Sequence, residues 1–82
     1  MNETICKVLD AHAKLTVGAT TLGDDDDLYR HGLTSHGSVN VMLGLEDAFD
    51  VEFPDRLLRK TTFQSVSSIR AALSELGVSD DA

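Results

Sequence analysis

The stretch Gly32–Phe49, GLTSHGSVNVMLGLEDAF, passes from small polar residues to an apolar helical pattern. Its apolar residues Val39, Met42, Leu45 and Phe49 recur at i, i+3, i+6 and i+10, which places them on one face of a helix over about Ser35–Asp50. Val41 and Leu43 lie off that stripe, so part of the helix is expected to be apolar on a second side. The start is unusual: Thr34, Ser35 and Ser38 put three hydroxyls around the flexible Gly37 in a single turn. One hydroxyl is enough to cap a helix, because one side-chain oxygen satisfies a free N–H of the first turn. Thr34 suffices for that, leaving Ser35 and Ser38 without a structural task.

Working outward, Ile5, Val8, Leu9, His12 and Leu15 follow helical spacing and predict a first helix from about Glu3 to Thr16, stopped near Gly18. His12 sits on that stripe and reads as a packed, hydrogen-bonded histidine at the core edge. Cys6 falls in the same pattern and reads as a buried, inert thiol. From Val17 to Thr34 no period is visible, yet Leu22, Leu28, Tyr29 and Leu33 punctuate the segment and would pin it over the core. The acidic run Asp24–Asp27 lacks the alternating ligands and distal Glu of a calcium loop and reads as a solvated turn. Pro54 suits the first turn of a short helix, with Leu57 and Leu58 facing inwards. A last helix is expected from Thr61 or Thr62, with Thr61 and Gln64 as a capping box. Phe63, Val66, Ile69, Leu73 and Leu76 form its buried face, and Gly77 its stop. No strand signal, repeat or internal linker interrupts the pattern. The expected architecture is all-α: three main helices plus one short helix in a single bundle spanning 1–82.

Composition narrows the function. A chain of 82 residues buries roughly 60% of its unfolded surface, enough for a modest core but not for a deep substrate cavity. The net charge of −7 and pI near 4.6 oppose binding to nucleic acid, where Lys and Arg neutralise phosphates, and favour positively charged protein partners. One cysteine provides no disulfide framework. No apolar run approaches the roughly 20 residues of a membrane span, and no basic-then-apolar leader opens the chain, so a cytoplasmic, non-membrane monomer is expected.

Four readings compete for the hydroxyl-rich turn. The simplest is a helix cap alone. A serine hydrolase is disfavoured, because Ser35 and His36 are adjacent and point about 100° apart on a helix, and no Gly-x-Ser-x-Gly elbow is present. A metal site from His12, His31 and His36 lacks recognisable ligand spacing. Covalent attachment fits the chemistry. A serine among small residues at a helix start is approachable by a modifying enzyme, and the helix N-terminus stabilises an attached phosphate.

The segment Asp27–Leu58, DLYRHGLTSHGSVNVMLGLEDAFDVEFPDRLL, resembles the acyl carrier protein family. The shared features are the Asp-Leu pair, the Gly-Leu pair, a serine opening the second helix, an acidic helix end and an apolar residue before Pro. The resemblance implies an acyl-carrier-protein-like four-helix bundle with a long loop between helices one and two. It also implies a carrier rather than an enzyme, with Ser35 bearing 4′-phosphopantetheine placed by a phosphopantetheinyl transferase from coenzyme A. Around that serine, Thr34 and His36 stand where the family usually has Asp and Leu. Arg56, Arg59 and Lys60 make the short third helix basic, where fatty-acid carriers are acidic. The Thr-Ser-His turn is similar to discrete carriers that accept amino acids from stand-alone ligases resembling aminoacyl-tRNA synthetase cores. That is the preferred reading, with downstream acyl-transfer enzymes as further partners. A fatty-acid, polyketide or nonribosomal-peptide carrier is the alternative, and a non-covalent acidic helical adaptor the second. By the same resemblance helices two and three read partners. His36, Asn40, Leu43 and Asp47 form an exposed stripe leading from Ser35, Leu43 is its candidate apolar anchor, and Glu46, Arg56 and Arg59 set the surrounding charge.

Overall fold

A computed structural model describes residues 2–78; Met1 and residues 79–82, the two ends of the expected domain, lie outside the described residues. Three α-helices carry the fold: α1 (Asn2–His12), α2 (Ser35–Phe49) and α3 (Val66–Glu75). Single 3-10 turns at Ala19–Thr21, Leu28–His31, Asp55–Leu57 and Lys60–Phe63 occupy the connections, and no strand occurs among the described residues. Ile5, Leu9, Leu28, Val41, Leu45, Ile69 and Leu73 are fully buried, so all three helices and the first long loop contribute to one core.

Helix α1 ends at His12, four residues before the expected limit, because tertiary ties capture the chain there. Lys14 turns into the left-handed region (φ 53°), and the Thr16 amide and hydroxyl both donate to the His31 carbonyl, at 2.7 and 3.1 Å. Gly32 (φ 110°) is required opposite, where a side chain would press on the Lys14 carbonyl and Thr16. Leu15 therefore packs from a loop rather than from a helix, and Ala13 takes the buried place at the helix end.

The long α1–α2 segment is ordered as expected: Leu28 and Leu33 are buried, and Leu22 and Tyr29 are partly so. Its acidic run is more than a solvated turn. Asp26 accepts from the Gly23 amide (2.8 Å), Asp27 from the Tyr29 amide (3.0 Å), and Asp24 pairs with Arg70 of α3 (3.2 Å). The Ser67 amide donates to the Asp24 carbonyl, and the Leu28 amide to that of Gln64. These bonds fasten the loop across the start of α3.

Helix α2 buries Gly37, Val41 and Leu45. Of the expected Val39–Met42–Leu45–Phe49 stripe, Leu45 is in the core and Met42 and Phe49 are partly buried against it, so the buried face is turned towards Val41 and away from Val39. Two glycines with no hydropathy signal set that face. At Gly44 an added Cβ would lie 2.8 Å from His12 Cδ2 and 2.9 Å from Val8 Cγ1, so α1 packs directly on the bare backbone. Val39 is left 51% exposed. His12 is itself exposed; its ring covers Gly44 rather than entering the core.

The expected short helix after Pro54 is one 3-10 turn. Leu57 is half-buried and Leu58 is exposed, while Phe53 goes inwards and meets Phe63 edge-to-face, with ring centroids 5.7 Å apart. The capping box of α3 belongs to Ser65 and Ser68, not to Thr61 and Gln64. The Ser65 hydroxyl accepts from the Ser68 amide (3.1 Å), and the Ser68 hydroxyl accepts from the Ser65 amide (3.0 Å). Thr61 instead lies in the Lys60–Phe63 turn that buries Phe63. Gly77 (φ 93°) stops α3 as expected: its amide donates to Ser74 and that of Val78 to Leu73, a Schellman motif.

Candidate functional site

Thr34 precedes α2 in extended conformation, and its hydroxyl accepts from the Gly37 amide (2.9 Å). The cap is therefore complete without Ser35. The Ser38 hydroxyl is also engaged, donating to the Ser35 carbonyl (2.7 Å). The Ser35 side chain is exposed, and its hydroxyl takes no part in the side-chain hydrogen bonds found among the described residues. The amides of Ser35 and His36 have no intrahelical partner, because they lie in the first turn. Gly37 keeps the turn close to the loop before it: an added Cβ there would meet the Thr34 hydroxyl at 3.2 Å and Leu33 Cδ1 at 3.4 Å.

Ser35 stands on the edge of a cleft of about 390 Å³ between α2 and the two 3-10 turns that precede α3. Val39, Met42, Leu58 and Phe63 make its apolar wall, and Tyr29, Ser38, Arg59 and Lys60 complete the lining. Lys60 Nζ lies 4.9 Å from the Tyr29 ring centroid, a cation–π contact. Burial pushes the Tyr29 phenol above its ordinary pKa, while the nearby Ser38 hydroxyl pulls it down. On the opposite flank His12, Lys14, Thr34, His36 and Asn40 border a smaller polar recess of about 190 Å³. His12, His31 and His36 do not come together as a metal-holding group among the described residues.

The expected stripe is present as a surface. His36, Leu43 and Asp47 are exposed and Asn40 is half-buried, with Leu43 at 53% exposure. Two neighbours have duties inside the fold: Glu46 accepts from the Phe53 amide (2.8 Å), and Arg56 pairs with Glu75 (3.2 Å). Arg59 is exposed and faces the Ser35 cleft. The cleft itself escaped the periodicity reading, which assigned Val39 and Leu58 to the core. The available signal was the surplus of apolar residues on α2, too many for one buried face.

Residues 3–73 match the family described as the phosphopantetheine attachment site. The chain belongs to the phosphopantetheine-bearing carrier proteins. An aminoacyl carrier protein of Agrobacterium fabrum is 46% identical over 69 residues, covering 84% of this chain and 83% of that one. A carrier protein from Agrobacterium tumefaciens superimposes with a TM-score of 0.87 at 43% identity, over 90% of this chain and 99% of its own. That structure is a complex with an engineered Bradyrhizobium japonicum glycine:[carrier protein] ligase and AMP. A solution structure from Agrobacterium tumefaciens matches with a TM-score of 0.72 at 43% identity, over 92% of this chain and 90% of its own.

The family's group is 4′-phosphopantetheine, and the start of α2 in this carrier protein fits it. The Ser35 side chain is exposed and its hydroxyl is unengaged in the side-chain hydrogen bonds among the described residues. The first-turn amides favour an anionic phosphodiester, and an apolar cleft with two cations adjoins the serine.

Proposed function

We propose that this carrier protein holds an aminoacyl group on a 4′-phosphopantetheine attached to Ser35, within a single carrier domain over 1–82. In this reading a phosphopantetheinyl transferase modifies Ser35, an aminoacyl-tRNA-synthetase-like amino acid:carrier protein ligase loads it, and a downstream acyl-transfer enzyme unloads it. The chain acts as a monomeric, cytoplasmic carrier with no catalytic step of its own.

The observation that carries this reading is the division of labour at the start of α2. Thr34 caps the helix and Ser38 is bonded to the Ser35 carbonyl, leaving Ser35 exposed and unengaged. When bound, the group supplies a thiol that holds the acyl cargo as a thioester. The chain's own residues then do three things. The first-turn amides stabilise the phosphate, Gly37 lets the turn that carries Ser35 pack closely on Thr34 and Leu33, and the exposed His36–Leu43–Asp47 stripe gives a ligase a surface beside the cargo. The aminoacyl subtype is supported by the 46% identical aminoacyl carrier protein and by the neighbour solved with a glycine ligase. Within the fold, Leu43 is the proposed apolar anchor, with Asn40, Glu46, Arg56 and Arg59 around it.

The test is to offer the modified chain ATP, single amino acids and such a ligase, and separately fatty acids with an acyl-carrier ligase. Each product is then weighed intact. The reading expects one amino-acyl residue added in the first case. Loading by fatty acids alone would move the chain to the fatty-acid alternative.

A further inference from the structure

The cleft beside Ser35 has a charge pattern that runs against the rest of the chain. The chain's net charge is −7, yet this cleft is lined by two cations, Arg59 and Lys60, and by no carboxylate. Lys7, Arg30, Arg56 and Arg70 all pair with acids; among the described residues Lys14, Arg59 and Lys60 do not, and the last two share this cleft. Lys60 is held on the Tyr29 ring, which is itself part of the cleft lining. Val39, Met42, Leu58 and Phe63 supply the apolar surface, and the volume of about 390 Å³ is that of a small-ligand site.

We propose that this cleft is a charge filter on the cargo: it shelters a neutral acyl group and turns away one bearing a free α-ammonium. The proposal rests on Ser35 being the attachment point, since cargo tethered there meets the cleft intramolecularly and at high effective concentration. An apolar acyl chain gains by leaving water for Val39, Met42 and Phe63. An α-ammonium entering the same space loses hydration and faces two like charges. The phosphodiester at Ser35 carries one negative charge and offsets only one of the two cations, so the cleft stays positive. An aminoacyl thioester is thereby kept in solvent, open to the next enzyme, whereas an acyl group without the amine is stored.

The test compares two thioesters on the modified chain, leucyl and 4-methylpentanoyl, which differ only in the amine. Each is cleaved with hydroxylamine, and its rate is divided by that of the same group on free pantetheine, which cancels the amine's own activating effect. The 4-methylpentanoyl group should be cleaved about tenfold more slowly on the protein than on pantetheine, the leucyl group within about twofold. Amide NMR shifts at Val39 and Phe63 should move on loading the first and not the second. In the variant carrying Arg59→Glu and Lys60→Glu, the leucyl group should become protected. Equal protection of both groups, or an unprotected leucyl group in the double variant, overturns the filter. A chain that takes no group at Ser35, read by intact mass before loading, overturns the attachment reading and the filter with it.

Discussion

At the start of α3, Ser65 and Ser68 hold each other's amides, Ser68 also donates to the Thr62 carbonyl, and Ser65 is buried. At the start of α2, Thr34 alone makes the cap, and Ser35 is left exposed beside a cleft. Both turns are rich in hydroxyls, and residue type alone does not distinguish them. The difference lies in which hydroxyls the backbone has already engaged. The closed start is a structural joint, fastened further by Asp24 and Leu28 across its first turns. The open start leaves the Ser35 hydroxyl exposed and unengaged.

The largest effect that sharpens this contrast is on stability. Phe63, in the turn just before the closed start, is 4% exposed and edge-on to Phe53, although it also lines the Ser35 cleft. Phe63→Ala should cost about 3–5 kcal/mol through cavity formation. Val39→Ala, beside the open start, should stay within about 0.5 kcal/mol. Urea denaturation of the two variants checks this; similar losses would mean that Val39 is a core residue after all.

The caps come next. Ser65→Ala should cost about 1–2 kcal/mol and Thr34→Ala about 1 kcal/mol, each through a lost cap. Ser35→Ala should be neutral to within about 0.5 kcal/mol. A Ser35 variant as damaging as Ser65→Ala would make the two starts alike and break the comparison.

On the open side, Leu43→Ala should slow ligase loading about tenfold, the loss of one interface anchor, while helicity and melting stay unchanged. Kinetics on chains already carrying the arm separate loading from modification. Wild-type rates would move recognition elsewhere on the surface.

The smallest effect concerns Cys6 on the closed side. Burial pushes its thiol above the ordinary value, and Asp10 and Asp24 push the same way. A raised pKa leaves less thiolate at a given pH, so Cys6 should alkylate several-fold more slowly at pH 7.5 than a free thiol, its rate still climbing at higher pH. Iodoacetamide labelling with mass readout, before and after modification, tells Cys6 from the thiol of the arm.

Much of this contrast was readable in the residue pattern. The surplus of hydroxyls marks the turn at Thr34–Ser38, and the choice of Ser35 within it rests on the resemblance to the carrier family. The three helices and the ordered loop follow from apolar spacing. The orientation of α2 did not, because Gly37 and Gly44 act through the absence of a side chain and leave no mark on a hydrophobic stripe. The cleft followed the same fate: Val39 and Leu58 look like core residues until α1 is seen to take the glycine face instead. The α3 cap was misplaced because Thr61–Gln64 and Ser65–Ser68 both have the right spacing. Only the burial of Phe63 in the preceding turn chooses between them. Helix α1 stopped early through hydrogen bonds between Thr16 and His31, fifteen residues apart, which no local pattern encodes.

The central claim is that Ser35 alone is the attachment point. Wild type, Ser35→Ala and Ser38→Ala are each co-expressed with a broad-range phosphopantetheinyl transferase and weighed intact. Wild type and Ser38→Ala should gain one phosphopantetheinyl group, and Ser35→Ala none. A phosphopantetheinyl group on the Ser35→Ala chain would contradict the claim and move the attachment point to another hydroxyl.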